Sequence, residues 1–600
     1  MFSRTQRRTL WVALWTYLLW LSWLPLHAQT AVKTLGEGVV LKQYVQTFYN
    51  SPQIVNVLEV DLRNPAVRVE SALAGGTVYR QDPTLGRETV SETVQRLDAL
   101  AGVNADFFPF TGDPLGIHIQ GGELVSEPSQ RVAFGMTAQR EVIFGEVVVR
   151  AEVTPEGGNP LPLSGINRTV QANECVLVTP RWGEVYPLPN GAVVLSLREL
   201  DGVPMLGKTL RAKVGEPIAA GSNCAVPADG ALLVATGTQA ERIKGWQSGT
   251  VLSLRFWVDP ASQQVVLVPE SRREGATQMA SRGGFRRRNE ADFWAQAVMA
   301  VGGGPWLVRE GTVLVDAPRQ GFQSGFSDNR HPRTAVGITA DGKLLLVTVD
   351  GRQPMAGGMT LHELARLMID LGATDAINLD GGGSTTLAVR GGLVINSPSE
   401  GKQRPVANSV VVFAPRPAVT ESAQVQIEPT SVTVRSGESV RFAVRSPEKG
   451  EPLNPDKVIF GTTGGIGFVD QAGLFTGVKI GKGTVTALLP DDRLVQAEVT
   501  VLPGEPARVV LVQPTTVPSG GERFELVVRV ADQAGNPCAG VKVQMRAQGA
   551  YPAEDSTVAD ASGVARFTVA WDANLPTSQC SITVTVPESK AVSPLKVQRR

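Results

Sequence analysis

The sequence predicts an α+β domain built on mixed β-sheets, followed by two all-β sandwiches. Three observations carry that expectation. Two windows with helical spacing, Thr89–Leu100 and Thr360–Leu371, stand among short β-branched runs and glycine-rich turns. The stretch Ala414-Pro415-Arg416-Pro417 marks a linker. Beyond it, short runs alternate apolar and polar residues and no helical window follows. The expected divisions are an N-terminal targeting segment at 1–28, a catalytic domain at 29–415, and sandwiches at 423–503 and 505–600.

The N-terminal segment has the order of a secretory signal. Arg4, Arg7 and Arg8 precede an apolar run from Leu10 to Leu26, and Leu26-His27-Ala28 closes it as a cleavage site would. The rival expectation is an uncleaved anchor, because the run is close to the shortest spanning length. Either way the bulk of the chain is expected to be secreted or to lie at the cell surface or in the periplasm, touching membrane only through this segment. The whole chain has 57 basic and 57 acidic residues, and removal of the segment leaves a net charge of −3. That balance argues against a nucleic-acid partner, which calls for a basic excess. Four cysteines suit an oxidising compartment. The economical pairing joins Cys175 to Cys224 and Cys538 to Cys580, although three connectivities are open. No Cys/His cluster has zinc spacing.

The segment 341–384 carries most of the chemistry. Lys343 to Val349 reads as a buried strand that ends at Asp350-Gly351-Arg352. Thr360 and Glu363 form a capping box, and Leu361, Leu364, Leu367, Met368 and Leu371 make one helical face. Gly372 stands where a helix C′ glycine belongs. A second strand, Asp375 to Asp380, runs into Gly381-Gly382-Gly383-Ser384. Strand, helix and strand imply two parallel strands whose C-terminal ends share an edge. Asp350 and Asp380 then face one edge, about 5 Å apart as neighbours or about 10 Å with a strand between. Carboxyl pairs in glycosidases span roughly 5–9.5 Å. The glycines present backbone N–H groups in a nest suited to an anion, with Ser384 adding a hydroxyl. No Lys follows them, so this is not a P-loop.

An earlier stretch has the same order. The helical window at 89–100 leads through Gly102 to Asn104-Ala105-Asp106, as the later helix leads through Gly372 to Asn378-Leu379-Asp380. Residues i and i+2 of a strand share a face, so each Asn cooperates with its Asp. Arg333 and Arg352 are candidates to grip a phosphate bidentately. His118 alternates with apolar residues and reads either as a cleft ligand or as a hydrogen-bonded strand histidine. Gly302-Gly303-Gly304 is a second glycine run, and Glu400 is a further acid.

These motifs resemble the phosphodiester glycosidase family. Asn378-Leu-Asp-Gly-Gly-Gly-Ser384 is similar to the family signature. Asn104-Ala-Asp-Phe-Phe108, Gly302-Gly-Gly-Pro305 with Gly311, Arg333-Thr-Ala335, Val349-Asp-Gly-Arg352, Leu361-His-Glu-Leu-Ala365 and Pro398-Ser-Glu400 follow in the family's order. Ala105-Asp106 and Asn408-Ser409 depart from its pattern. The two C-terminal regions resemble bacterial immunoglobulin-like modules, the first of group 2 type and the second of invasin type. The resemblance implies hydrolysis of a sugar-1-phosphodiester at the anomeric carbon. Asp380 and Asp350 are then the catalytic carboxylates, with Asp106 or Glu400 as alternates. Asn104, His118, Gly303, Gly304, Arg333, Arg352, Asn378, Gly381, Gly382, Gly383 and Ser384 position the substrate. The expected partner is a carbohydrate phosphodiester of a cell-wall polymer or exopolysaccharide. No cofactor is required, and the Asp/Asn cluster offers a hard cation such as Ca²⁺ oxygen ligands. The alternatives are a non-catalytic carbohydrate-binding or adhesion protein and a metal-dependent phosphodiesterase that breaks P–O.

Overall fold

The computed structural model describes residues 29–109, 111–216, 218, 221–259, 263–269, 285–288, 293–416, 424–446, 450–516 and 521–599. The expected signal segment at 1–28 lies outside the described residues. The chain divides into two compact units between Val419 and Thr420.

The first unit is assembled from sheets. One has eight strands in the order Gln29–Gly36, Val39–Phe48, Ser51–Asp61, Lys343–Val349, Arg333–Thr339, Ala373–Asn378, Trp306–Arg309 and Thr312–Val313. Lys343–Val349 and Ala373–Asn378 each pair antiparallel with Arg333–Thr339, so they run parallel to one another with one strand between them. The expected parallel pair is therefore present in the more widely spaced of its two arrangements. The helix Leu361–Asp370 connects them. Thr360 accepts from the Glu363 N–H and Glu363 accepts from the Thr360 N–H at 2.9 Å, which satisfies two orphan donors of the first turn. Gly372, at φ +93°, ends the helix in the left-handed region. Leu361, Leu364, Ala365, Leu367 and Met368 are buried against Val57, Leu345, Val347 and Ala376 of the sheet. Each large side chain contributes about 1.5–3 kcal/mol by leaving water.

A five-stranded sheet orders Leu393–Val394, Leu387–Val389, Ala101–Asn104, Asn408–Phe413 and Arg68–Leu73. The short helix Val90–Arg96 packs Val90 and Val94 against Ala388 and Val411 of this sheet. It is shorter than its periodic window, because Leu97 caps it and Asp98 adopts φ +50°. A seven-stranded sheet carries Val132–Thr137, Ala297–Gly302, His118–Gln120 and Glu123–Ser126 in that order at one side. A second eight-stranded sheet, between residues 149 and 258, is mixed: Gly165–Ile166 pairs parallel with Cys175–Val178, and the other pairs are antiparallel.

The second unit has two separate cores, one around Phe442, Phe460, Phe475 and Val485 and the other around Trp571, Phe567, Leu526 and Val584. The second core lies between two four-stranded sheets. The first unit's sheets and these β-layers agree with the expected α+β and all-β classes.

The expected disulfides are absent, since all four cysteines are free thiols. Cys175 belongs to the core with Leu177 and Leu233, whereas Cys224 belongs to the core with Val176, Val178 and Leu232. Alternation along a strand puts those two sets on opposite faces of one sheet, so the sheet separates the sulfurs. Cys538 hydrogen bonds at Val530, beside the Val564 end of the strand Val564–Trp571, while Cys580 packs under Gly549 near the Trp571 end. A strand of that length spans about 23 Å, beyond a disulfide's reach.

Candidate active site

The two Asn-x-Asp segments meet. The Asn104 Nδ2 group donates to the Asp380 carbonyl at 2.7 Å, and the Asp380 N–H donates to the Ala105 carbonyl at 2.8 Å. Asn104 Oδ1 accepts from the Thr334 hydroxyl at 2.8 Å and the Thr386 N–H at 3.0 Å. Asn104 thus ties the end of the five-stranded sheet to that of the eight-stranded one. Asn378 does the corresponding work one strand away, donating from Nδ2 to the Gly304 carbonyl at 2.9 Å.

This lacing brings Asp106 and Asp380 close enough for the Asp380 charge to act on the Asp106 carboxyl. Asp106 is 2% exposed. Its Oδ1 accepts from the Phe107 N–H and its Oδ2 from the Gly116 N–H, both at 2.7 Å. Burial outweighs those bonds and pushes its carboxyl up to about 7, with the Asp380 charge adding to the rise and Arg131 opposing it. Burial pushes Asp380 up to about 6, opposed by Ser384, the Gly381 N–H, Arg404 and Arg131. Two carboxyls with raised and different affinities for a proton, sharing Arg131, are the arrangement that lets one donate a proton while the other stays ionised.

The glycines mostly make room. A Cβ on Gly302 would lie 2.3 Å from Asp106 Oδ2, and one on Gly116 would lie 2.9 Å from the same atom. A Cβ on Gly303 would meet the Asn378 carbonyl at 2.8 Å. The Gly303 and Gly304 N–H groups donate to the carbonyls of Val132 and Asn378, so they hold the strand ends together and are not available to a substrate. In the second run, the Gly381 N–H donates to the Asp380 carboxylate at 2.9 Å and the Gly382 N–H to the Pro332 carbonyl at 2.9 Å. Two of the three donors expected in the anion nest are therefore used internally. Gly383 lies under the Glu400–Arg404 ion pair, where a Cβ would strike both side chains.

The remaining candidates separate by position. Asp350 is fully buried one strand away from the pair. Its Oδ2 accepts from the Ser397 N–H at 2.9 Å, and burial pushes it up to about 7, opposed by Ser397 and Asn396. Arg333 is 1% exposed and commits its donors to backbone carbonyls: Nε to Met359 at 2.9 Å and Nη2 to Phe326 at 2.7 Å and Asn329 at 2.9 Å. Burial lowers it to about 9, and Arg352 adds to the fall. Arg352 is exposed, adopts φ +60°, and reaches His331 Nδ1 at 3.1 Å above Gly382. His118 is fully buried behind Asn408. Asn408 Oδ1 accepts from the Asp106 N–H at 2.9 Å, so its Nδ2 faces His118 Nδ1, at 3.1 Å, and the ring proton belongs on Nε2. Burial lowers His118 to about 4, which keeps the ring neutral.

Sequence reasoning missed Arg131, Arg404 and Asn408. Arg131 stands over the rings of Phe322 at 4.1 Å and Phe107 at 5.0 Å and joins no ion pair among the described residues. It follows an unpatterned loop and carried no signal. Arg404 stands four residues after Glu400, a spacing that an ion-pair reading of that segment would have found. Among the described residues no three His, Cys, Asp or Glu side chains converge as a metal site requires.

Comparison with known proteins finds similarity over part of this unit. Residues 258–413 match the phosphodiester glycosidase family model, a span that holds Arg333, Asp350, Asp380 and Arg404 but not Asp106. The uncharacterized SPbeta prophage-derived protein YomE of Bacillus subtilis is 36% identical over 114 residues, which are 19% of this chain and 17% of that protein. The N-acetylglucosamine-1-phosphodiester α-N-acetylglucosaminidase of Bos taurus is 36% identical over 135 residues, 20% of this chain and 25% of that enzyme. The chain thus spans a quarter or less of the length of these curated relatives. The crystal structure of a hypothetical protein from Synechocystis shares the fold over 64% of each chain, with a TM-score of 0.50 and 22% identity. By these matches the chain carries a domain of the phosphodiester glycosidase family, over residues 258–413.

Proposed function

We propose that this protein hydrolyses the glycosidic bond of a sugar-1-phosphodiester, releasing the sugar and a phosphomonoester, and that Asp106 and Asp380 are its catalytic carboxylates. The observation that carries the reading is the meeting of buried Asp106 with half-buried Asp380, with Arg131 acting on both and Arg404 on Asp380. In this reading the phosphoryl oxygens face the two arginines, whose charge stabilises the departing phosphate. The C1–O bond breaks and its electron pair passes to the phosphate oxygen. A water oxygen bonds to C1, its proton passes to a carboxylate, and Asp106 supplies a proton to the phosphate. Asn104, Asn378 and Asn408 act by positioning the two acids. Asp350 shapes the neighbouring Ser397 turn, Arg333 clamps the 326–329 and Met359 carbonyls, and Arg352 is the candidate at the Gly382 rim.

We infer further that the chain works outside the cytoplasm, on an envelope or exopolysaccharide phosphodiester. The Arg4–Ala28 segment supports this, as do two C-terminal β-sandwiches of immunoglobulin-like texture, which suit a spacer or adhesive role. The test of the activity is turnover of chromogenic sugar-1-phosphodiesters. Wild type should release sugar, and Asp380→Asn, folded as wild type by circular dichroism, should lose about 10²–10⁴-fold in kcat. Full turnover by that variant removes Asp380 from the reaction, and binding without any turnover favours a carbohydrate-binding protein.

A further inference from the structure

A cavity of about 360 Å³ lies away from the paired carboxylates, in the segment 75–82 where it meets Gly183–Val185. That volume is within the range of small-molecule sites. It is a built feature. The Val78 and Tyr79 N–H groups donate to the Arg181 and Trp182 carbonyls, both at 2.7 Å, which ties the segment to the 181–183 turn. Gly183 permits the approach, because a Cβ there would lie 2.2 Å from the Tyr79 carbonyl. The Tyr79 ring lines the cavity and stacks on Trp182 with centroids 5.5 Å apart, so the ring is held in a fixed plane. Thr77 also lines it, and its Oγ1 is buried without a hydrogen-bond partner among the described residues. A buried hydroxyl left unsatisfied costs about 1–3 kcal/mol, and a turn of the Thr77 side chain toward a bound molecule would give it a partner.

The cavity continues through Arg80 and Asp82 into a groove of about 570 Å³ along the helix Val90–Arg96. Two ion pairs lie there, Arg80 with Asp82 at 3.1 Å and Arg96 with Glu88 at 2.7 Å, and Arg87, Glu92 and Glu184 also line the space. Four acids against three arginines do not favour an anion. A fixed aromatic plane, an unsatisfied hydroxyl and polar side chains of nearly balanced charge fit a hydroxyl-rich, uncharged ring with one apolar C–H face. The groove also flanks the site already described. The loop that starts at Asp106 and returns its Gly116 N–H to the Asp106 carboxylate rests on this wall, with Gly112 against the Leu85 carbonyl. Phe108 of the same loop faces the Arg87 guanidinium at 5.9 Å.

We propose that the cavity at Thr77 and Tyr79, with the groove beyond Asp82, binds an uncharged sugar unit remote from the bond that is cut, so that the protein holds its substrate as a polymer. The polymeric-substrate part rests on the phosphodiester glycosidase reading, whereas sugar binding at Tyr79 does not. The test is calorimetric titration of the full chain with two neutral probes, the β-1,4-linked tetramer of N-acetylglucosamine and the α-1,4-linked tetramer of glucose. At least one should bind, Tyr79→Ala should weaken it about tenfold, and Thr77→Val should weaken it several-fold. Tyr79→Phe, which keeps the stacked ring, should retain most of the binding and shows that the position tolerates change. Turnover of a small sugar-1-phosphodiester should be unchanged in all three variants. The proposal is overturned if neither tetramer binds at about 10 mM, or if Tyr79→Ala and Thr77→Val bind as wild type does. Tetramer binding without turnover of any sugar-1-phosphodiester would sink the activity and leave this site standing. Turnover without tetramer binding would do the reverse.

Discussion

Asp106 and Asp380 hold the proton in different degrees because their surroundings differ by a few named contacts. Asp106 is the more enclosed and sits near about 7, while Asp380 sits near about 6 with Ser384, Gly381 and Arg404 favouring its charge. If the reaction needs Asp380 ionised and Asp106 protonated, kcat/KM rises through about 6 and falls above about 7. A pH–rate profile should therefore be a narrow bell, and Asp106→Asn should abolish its alkaline limb while lowering the maximum. An unchanged alkaline limb in that variant would assign the proton to another group. Asp350 gives a stability prediction of opposite interest. Its folded affinity for a proton is raised, so below about pH 4 both folded and unfolded forms are protonated and nothing is lost. Between about 4 and about 7 the unfolded form ionises first, and stability falls by on the order of 4 kcal/mol. Asp350→Asn, whose amide oxygen can still accept from Ser397, should raise the melting temperature at pH 8 and leave it unchanged at pH 4. An equal shift at both pH values would mean the carboxyl is not held protonated by burial.

At the scale of elements, the glycine runs act through space they leave empty. Gly302→Ala would drive a methyl group to 2.3 Å from Asp106 Oδ2 and displace the carboxylate. We expect a loss of about 10²-fold in kcat with KM little changed, because a shift of about 1 Å in a reacting group is enough. Wild-type kcat in Gly302→Ala would show that Asp106 tolerates displacement. Arg333→Met removes donors from one buried and two part-buried carbonyls and should cost about 3 kcal/mol in urea denaturation. The helix Leu361–Asp370 and its flanking strands were legible in the sequence because capping box, apolar stripe and terminal glycine all act between Thr360 and Gly372. The function of Gly303 and Gly304 was not legible, since the Asn378 carbonyl they meet lies more than seventy residues away. Arg333 illustrates the same limit: its residue type suggested a phosphate, and its burial among carbonyls comes from the fold.

At the scale of the molecule, the motifs along some three hundred residues converge because strand ends of two sheets meet, tied through Asn104 and Asp380. The sequence carried both Asn-x-Asp segments and their common helix–glycine–strand order. It could not say that Asp380 meets Asp106 while Asp350 is turned toward Ser397, because that choice depends on which sheets abut. The cysteines misled for a related reason: pairing within a domain ignores the sheet that separates Cys175 from Cys224. The central claim is that the paired acids open the bond between sugar C1 and phosphate oxygen. It is tested most directly by running the full chain on a sugar-1-phosphodiester in ¹⁸O-labelled water and weighing both products. The account predicts one labelled oxygen in the sugar, none in the phosphomonoester, and no label in either with Asp380→Asn. Label in the phosphomonoester would mean that the P–O bond breaks instead, and would contradict it.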